Sequence, residues 1–324
     1  VKLSVAMPPG PDVIELAQLA EELGYERIWL YDSAALYEDI WVHLARIVER
    51  TSIKVGTAVL VPNLRHPMTT ASAIATIERL APGRLACGFG TGATARWVLN
   101  KKALSWATTR RYVEQVRGLL RGEVVTIDGE QCQMIHLPGW APARPIDTPL
   151  LLSALGPKGL EIACEVGDGV FTMGAANVAS DWHIQMTAGT VLDDGESLGD
   201  QRVKDALGPW YVVRYHGIWQ AFPQALGNLP LGQDWLAAID AERPEGQRHL
   251  AVHEGHVTLV QPRDQAVLDA AGDALASTGW VGSASDIKAK AEAAAASGVH
   301  EVLYTPAGPD AAREMRAFAA AVLG

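Results

Sequence analysis

Basic charge, cysteine and long apolar runs are all in short supply. Lysine and arginine number 27 against 37 aspartates and glutamates, a formal net charge of −10 over 324 residues. Binding a phosphate backbone needs a basic face, so this balance argues against nucleic acid as a partner. The three cysteines, Cys87, Cys132 and Cys164, are widely spaced and set in apolar runs. That argues against a disulfide framework and for small core residues in a reducing compartment. No window reaches about 18 uninterrupted apolar residues, and the first residues lack a basic segment followed by an apolar run and a cleavage site. No membrane partner is expected, and the protein reads as soluble and cytoplasmic. What the chain has instead is a 48% hydrophobic composition with 20% charge. This suffices for a sizeable core in a single domain over residues 1–324.

The most informative stretch is residues 51–92. Residues 53–61 are apolar and rich in β-branched side chains, as a strand buried on both faces requires. Pro67 suits the first turn of a helix, and Ala71, Ile74, Ile77 and Leu80 then recur at helical spacing until Pro82-Gly83. Residues 84–90 form a second apolar strand, giving a strand–helix–strand unit with a right-handed crossover. The alternation continues along the chain, with strands expected at 3–7, 26–30, 150–153, 169–172, 210–216 and 301–304. Helices are expected at 13–23, 38–50, 108–120, 157–166, 181–192, 286–297 and 311–322. Asp12 is placed to cap the first helix and Gly24 to end it, while Ser285 and Gly298 bound the helix at 286–297. A hairpin should turn at Asp128-Gly129. Residues 217–261 are weakly periodic and read as an insertion between the seventh and eighth strands, with 248–261 extended. Strands alternating with helices imply an α/β fold with a parallel sheet, and eight such units favour a (β/α)8 TIM barrel.

Several strings carry a family signature in order: AEELGYERIWLYDS at 20–33, VGTAVLVP, RHP at 65–67, ASAIATIERLAPGRL, GFGTG at 88–92, and PLLLSALGPKGLEIACEVGDGVF at 149–171. Together they resemble the bacterial-luciferase-like oxidoreductases, in the flavin- and deazaflavin-dependent branch that includes methylenetetrahydromethanopterin reductase. The resemblance implies a barrel that transfers a hydride between coenzyme F420 and a small, flat or hydrophobic organic substrate. The alternatives are an FMN-dependent monooxygenase and a non-catalytic ligand-binding barrel. It also implies a homodimer formed through the helices at 38–50 and 69–80.

In such a barrel the chemistry sits just after the strands. The resemblance puts Asp32 close to the cofactor ring, Thr91 and Gly92 against it, and Ala58-Val59 where deazaflavin members carry a non-prolyl cis peptide. It puts the cofactor phosphate at Gly156, Pro157, Lys158 and Gly159, and at Met173 and Gly174. The residues support the first of these independently: Gly156 to Gly159 lie between a strand end and a helix start, where exposed amides and the helix dipole favour an anion, although an ordinary tight turn has the same look. Gly88, Gly90 and Ala93 also satisfy G-x-G-x-x-A, but Glu114, at the right distance for a nicotinamide fingerprint, falls inside a helix rather than at a strand end. Compared with the sugar-phosphate dehydrogenases of the family, Gly10 and Ala93 stand where they have glutamates, and Ala176 near their phosphate-binding lysine. Sugar-phosphate oxidation is therefore disfavoured.

The string HLAVHEGH at residues 249–256 falls short of the zinc motif H-E-x-x-H, whose histidines lie at i and i+4. In an extended segment His249 and His253 share one face while Glu254 and His256 share the other, so no metal site is expected. Packing or surface histidines compete with a general acid or anion-binding role. His253 and Asp32 are the candidate catalytic residues, and Tyr37, Trp97, His216 and His256 the candidate substrate contacts.

Overall fold

The computed structural model describes residues 1–62, 64–174 and 176–324. Asn63 and Ala175, at the ends of two strand-end segments of interest, lie outside the described residues. Among the described residues eight strands close into the expected barrel: β1 (Lys2–Met7), β2 (Arg27–Leu30), β3 (Lys54–Leu60), β4 (Leu85–Phe89), β7 (Leu150–Ser153), β8 (Val170–Met173), β9 (His183–Thr187) and β12 (Glu301–Tyr304). Most of their residues are apolar, and β2, β4 and β12 are buried at every position, as strands covered on both faces require. Outside the barrel, β5 (Val125–Ile127) and β6 (Glu130–Cys132) form the expected hairpin, with positive φ at both Asp128 and Gly129. β10 (Gly189–Val191) pairs in parallel with β11 (Trp280–Gly282).

The backbone divides into two compact units. The first comprises residues 1–93, 103–186 and 294–303. It carries α1 (Val13–Glu22), α2 (Ile40–Val48), α3 (Pro67–Leu80), α5 (Trp106–Arg121) and α6 (Pro157–Val166). Pro67 occupies the first turn of α3, and Gly24 follows α1 with φ +81°, both as their residue types require. Asp12 stands at the start of α1 but its side chain makes no capping hydrogen bond. Of the cysteines only Cys87 is buried, Cys164 being exposed.

At the N-terminal end of the strands a buried carboxylate ties the barrel together. Glu301 on β12 accepts hydrogen bonds from Ser4 on β1, from Trp29 Nε1 on β2 at 3.1 Å and from Trp182 Nε1 at 3.0 Å. The Arg27 guanidinium lies over both indoles, 5.1 and 5.4 Å from their ring centres. At the opposite end, the register between β3 and β4 shifts between Thr57 and Leu60, and the Ala58-Val59 peptide is cis.

The second unit comprises residues 94–102, 187–293 and 304–324. It contains most of α4 (Ala93–Trp97), then α7 (Gln201–Ala221), α8 (Gly232–Glu242), α9 (Arg248–His253), α10 (Gln265–Asp269), α11 (Ala284–Ala296) and α12 (Ala311–Leu323). Val203, Leu207, Tyr211 and Tyr215 of α7 form a stripe that packs with Trp235, Ile239, Val252 and Leu268. Buried Glu314 accepts from Arg202 at 2.8 Å and from Thr190 at 2.6 Å. No helix among the described residues is long and apolar enough to cross a membrane.

Three expectations fail here. Residues 210–216 are not the seventh strand but the middle of α7. Their aromatic and β-branched composition mimics a strand, yet burial recurs every four residues from Val203, so tertiary packing overrides local preference. The seventh barrel strand is β9, inside the stretch expected to be helical. His183, Gln185 and Thr187 are polar and buried, and a strand that buries polar residues has the local composition of a helix with an exposed face. Residues 248–253 are helical rather than extended. In a smaller shift, Ser283 and not Ser285 caps α11, exchanging hydrogen bonds with Asp286.

Replacing Glu301 by leucine leaves two buried donors and one half-buried donor unpaired beside a buried arginine. Unfolding free energy should fall by about 3 kcal/mol, read from urea denaturation. An unchanged midpoint would show the tie to be dispensable.

Candidate functional site

Asp32 follows β2 and is 5% exposed. Arg65 Nη1 lies 2.7 Å from its Oδ2, and Arg65 Nη2 lies 3.0 Å from Asp39 Oδ2, so one guanidinium spans two carboxylates. Asp39 also caps α2 by accepting from the Trp41 and Val42 amides. Tyr112 fixes the arginine from behind, donating to the Arg65 carbonyl at 2.9 Å while its hydroxyl meets Thr70 Oγ1 at 2.7 Å. Burial pushes the Asp32 carboxyl above its ordinary value, and Arg65 opposes the rise. Arg65 stood in the RHP string with no role read for it. The signal available was a cation immediately after a barrel strand, where a strand-end acid needs a partner.

The glycines after β4 serve packing. A Cβ at Gly90 would stand 2.8 Å from Val59 Cγ2, and one at Gly88 would stand 2.6 Å from both Phe171 Cε2 and the Thr57 carbonyl. At Gly92, where φ is +77°, a Cβ would collide with Val61. Val59 and Val61 therefore rest on alternate glycines of the segment 88–92. Thr91 is half-buried between these contacts, and its carbonyl accepts from the Leu104 amide at 2.9 Å.

Helix α6 begins at Pro157 with Gly156 as its cap residue and no side-chain capping hydrogen bond. The first amides of a helix have no intrahelical partner, so this start presents donors and the positive end of the helix dipole. A Cβ at Gly156 or at Gly174 would meet nothing within 4 Å, and Lys158 is exposed beside them. Gly159 is different: it is buried and a Cβ there would strike the Trp106 indole. Met173 is exposed at the end of β8, and Thr172 Oγ1 holds the Gly174 carbonyl at 3.2 Å and meets His183 Nε2 at 2.9 Å. Asp32, Ala58-Val59, Thr91-Gly92, Gly156 to Gly159 and Met173-Gly174 thus all stand at the C-terminal ends of the parallel strands of the first unit.

The candidate histidines assemble separately, within the second unit. His216 lies in the body of α7, not after a strand. His253 ends α9, and a turn closed by the His256 amide on the His253 carbonyl, followed by Gly255 at φ +72° and Val257 at φ +57°, brings His256 back beside it. His216 Nδ1 and His256 Nδ1 are 2.8 Å apart, and His256 Nε2 meets Thr94 Oγ1 at 3.0 Å. Trp97 stacks on His253 with ring centres 6.0 Å apart. Burial lowers all three pKa values, His253 to about 3 and His256 to about 4, with neighbouring imidazoles adding to the effect on His253. Three convergent rings replace the divergent ones expected of an extended segment. Tyr37, in the first unit, is half-buried against Tyr31.

A parallel barrel with an uncapped, glycine-started helix and a glycine floor at its strand ends defines the class of α/β-barrel proteins that build their sites from strand–helix loops. A model of the luciferase-like monooxygenase family matches residues 3–203, and the chain belongs to that family. It is 36% identical over 172 residues to a 5,10-methylenetetrahydromethanopterin reductase from Methanolobus tindarius, covering 51% of each chain. The chain thus spans about half the length of the curated relatives it matches. Its fold superposes on the coenzyme F420-dependent tetrahydromethanopterin reductase of Methanopyrus kandleri with a TM-score of 0.64 at 18% identity, covering 100% of this chain and 98% of that one. A type II Baeyer–Villiger monooxygenase from Pseudomonas putida, in complex with FMN, gives 0.61 at 12% identity, covering 99% and 97%.

A carboxyl raised by burial costs stability as pH climbs through its titration, and the arginine offsets that cost. The deficit of Arg65→Met relative to wild type should therefore be smallest near about pH 4 and widen towards about pH 7, as Asp32 ionises, Asp39 being held below its ordinary value in the wild type. Urea midpoints across that range measure it. A deficit independent of pH would mean that Arg65 acts by packing alone.

Proposed function

We propose that this chain is an oxidoreductase that binds coenzyme F420 at the strand ends of its barrel and moves a hydride between it and a flat or hydrophobic organic substrate. The observation that carries this reading is the start of α6, where an uncapped helix meets open backbone at Gly156 and Gly174. The residues present fit the phosphate of such a coenzyme. The amides of Lys158 and Gly159 and the Lys158 ammonium would hold it, with Met173-Gly174 alongside and Pro157 fixing the helical entry. Val59, seated on Gly90, and Thr91-Gly92 would support one face of the ring, with Ala58 beneath. Asp32, oriented by Arg65, would fix the ring's polar edge. When bound, the deazaflavin supplies the hydride chemistry, and the chain binds, orients and excludes water. Tyr37 would be a substrate contact.

His253 is not retained as the proton donor, because burial removes the imidazolium at neutral pH. Trp97, His216 and His256 then pack against that ring rather than contact substrate. FMN is the second reading, favoured by the FMN complex of the monooxygenase that shares this fold. The protein is read as a cytoplasmic homodimer joined through α2 and α3, where Val42 is 58% exposed. A monomer in sedimentation at micromolar concentration would overturn the dimer.

Separate fluorescence titrations with the deazaflavin and with reduced FMN test the cofactor. Tight binding of F420 supports the proposal, binding of FMN alone selects the second reading, and binding of neither leaves a barrel that has lost this chemistry. Gly156→Asp places an anion at the helix start without a steric clash, and should weaken cofactor binding at least about tenfold, or 1.4 kcal/mol. Gly159→Asp does not serve, because its side chain would displace Trp106. Unchanged affinity in a folded Gly156→Asp variant would remove the phosphate from this place.

A further inference from the structure

We propose that His216, His253 and His256 form a binding site for a single divalent transition-metal ion of the zinc type, closed by three neutral imidazoles and one exogenous ligand. The inference is independent of the cofactor reading, since every residue it uses lies in the second unit. One ring nitrogen from each histidine falls within 4.8 Å of the other two. The rings are 2%, 0% and 3% exposed. His216 Nε2 and both nitrogens of His253 have no hydrogen-bond partner among the described residues. Buried polar atoms without partners are uncommon and call for an explanation. An ion between the rings gives one nitrogen of His253 the partner it lacks.

The geometry needs small adjustments. With metal–nitrogen bonds of about 2.0–2.1 Å, ligating nitrogens in a tetrahedral shell stand about 3.3 Å apart. The 2.8 Å pair of His216 and His256 would open slightly, and the widest separation, up to 4.8 Å, would close. His216 and His256 now share one proton between their Nδ1 atoms. On binding, whichever ring carries that proton moves it to its own Nε2, so both stay neutral and no proton is lost. His256 then donates Nε2–H to Thr94 Oγ1, the outer contact by which metal-bound histidines are commonly held. Ring planes are already fixed by Trp97 stacked on His253 and by Trp235 stacked on His216, with Trp235 anchored to Asp264 at 2.7 Å.

Donor chemistry selects the ion. Imidazole suits zinc, cobalt, nickel and copper, whereas magnesium and calcium require oxygen. The cluster has no carboxylate, so the fourth position falls to a water able to ionise or to an anion. The helical turn that creates the site is the feature that a reading of residues 248–261 as extended excluded.

Chelator-treated protein is titrated with Zn²⁺, with Mg²⁺ as control, and bound metal is counted after equilibrium dialysis. One Zn²⁺ per chain is expected, and no stoichiometric Mg²⁺. Co²⁺ should give the intense visible absorption of a tetrahedral site, displaced by Zn²⁺. His253→Phe, which keeps a stacking partner for Trp97, should lower zinc affinity at least about 100-fold, and Thr94→Val about tenfold by loosening the outer contact. His136→Gln, an exposed histidine elsewhere, should change nothing. Absence of stoichiometric zinc and of the cobalt spectrum in the wild-type protein would overturn the site. So would unchanged binding in Thr94→Val together with His253→Phe. Should His253→Phe fail to fold, the wild-type cobalt spectrum and Thr94→Val decide the matter alone.

Discussion

The strand ends of this barrel depend on Val59 and Val61 lying against glycines at alternate positions where β4 ends. Val59 and Val61 fill the space that a Cβ would need at Gly90 and Gly92. The same glycines satisfy a loose nucleotide-binding pattern in the sequence, yet their use is mechanical. They let two strands approach at the place where the β3–β4 register shifts, and so set the height of the surface on which a planar ring would rest. A side chain at either position would move Val59 or Val61 rather than simply narrow a pocket.

The barrel keeps its charges at opposite ends for different reasons. Glu301 at the N-terminal end accepts from Ser4 and two indoles, with Arg27 over their faces. Its donors come from three separate segments of the barrel, which is how a stabilising network should look. Asp32 at the C-terminal end shares its arginine with Asp39. Held by that shared cation and by the Val61 amide, the Asp32 carboxylate retains acceptor capacity, because a carboxylate can take up to about four hydrogen bonds.

Much of this was legible in the sequence. Seven of the barrel strands lie where apolar runs and turn residues placed them, and the Asp128-Gly129 hairpin and the Pro67 helix start follow from backbone preferences that context rarely overrides. The failures share one cause. β9 hides polar residues inside the barrel, and α7 hides a helical stripe inside a run of aromatic and β-branched residues; in both, tertiary burial reverses what local composition suggests. Arg65 was visible as a residue but not as a partner, since a contact across 33 positions leaves no mark in local pattern.

The histidines show how one error of conformation conceals a constellation. Taken as extended, the string at 249–256 splits its rings between two faces; with α9 helical, the turn after it returns His256 to His253, and α7 supplies His216 from 40 positions away. Edge-on contacts of His253 with His216 at 85° and with His256 at 67° compensate its nitrogens only in part, since such contacts are weaker than hydrogen bonds. Each buried polar atom left unpaired costs about 1–3 kcal/mol. Three apolar rings of similar shape would avoid that penalty and pack as well against Trp97 and Trp235. A fold that retains imidazoles there gains from a ligand that uses their nitrogens, and the neutral state enforced by burial is the state in which imidazole donates a lone pair to a metal.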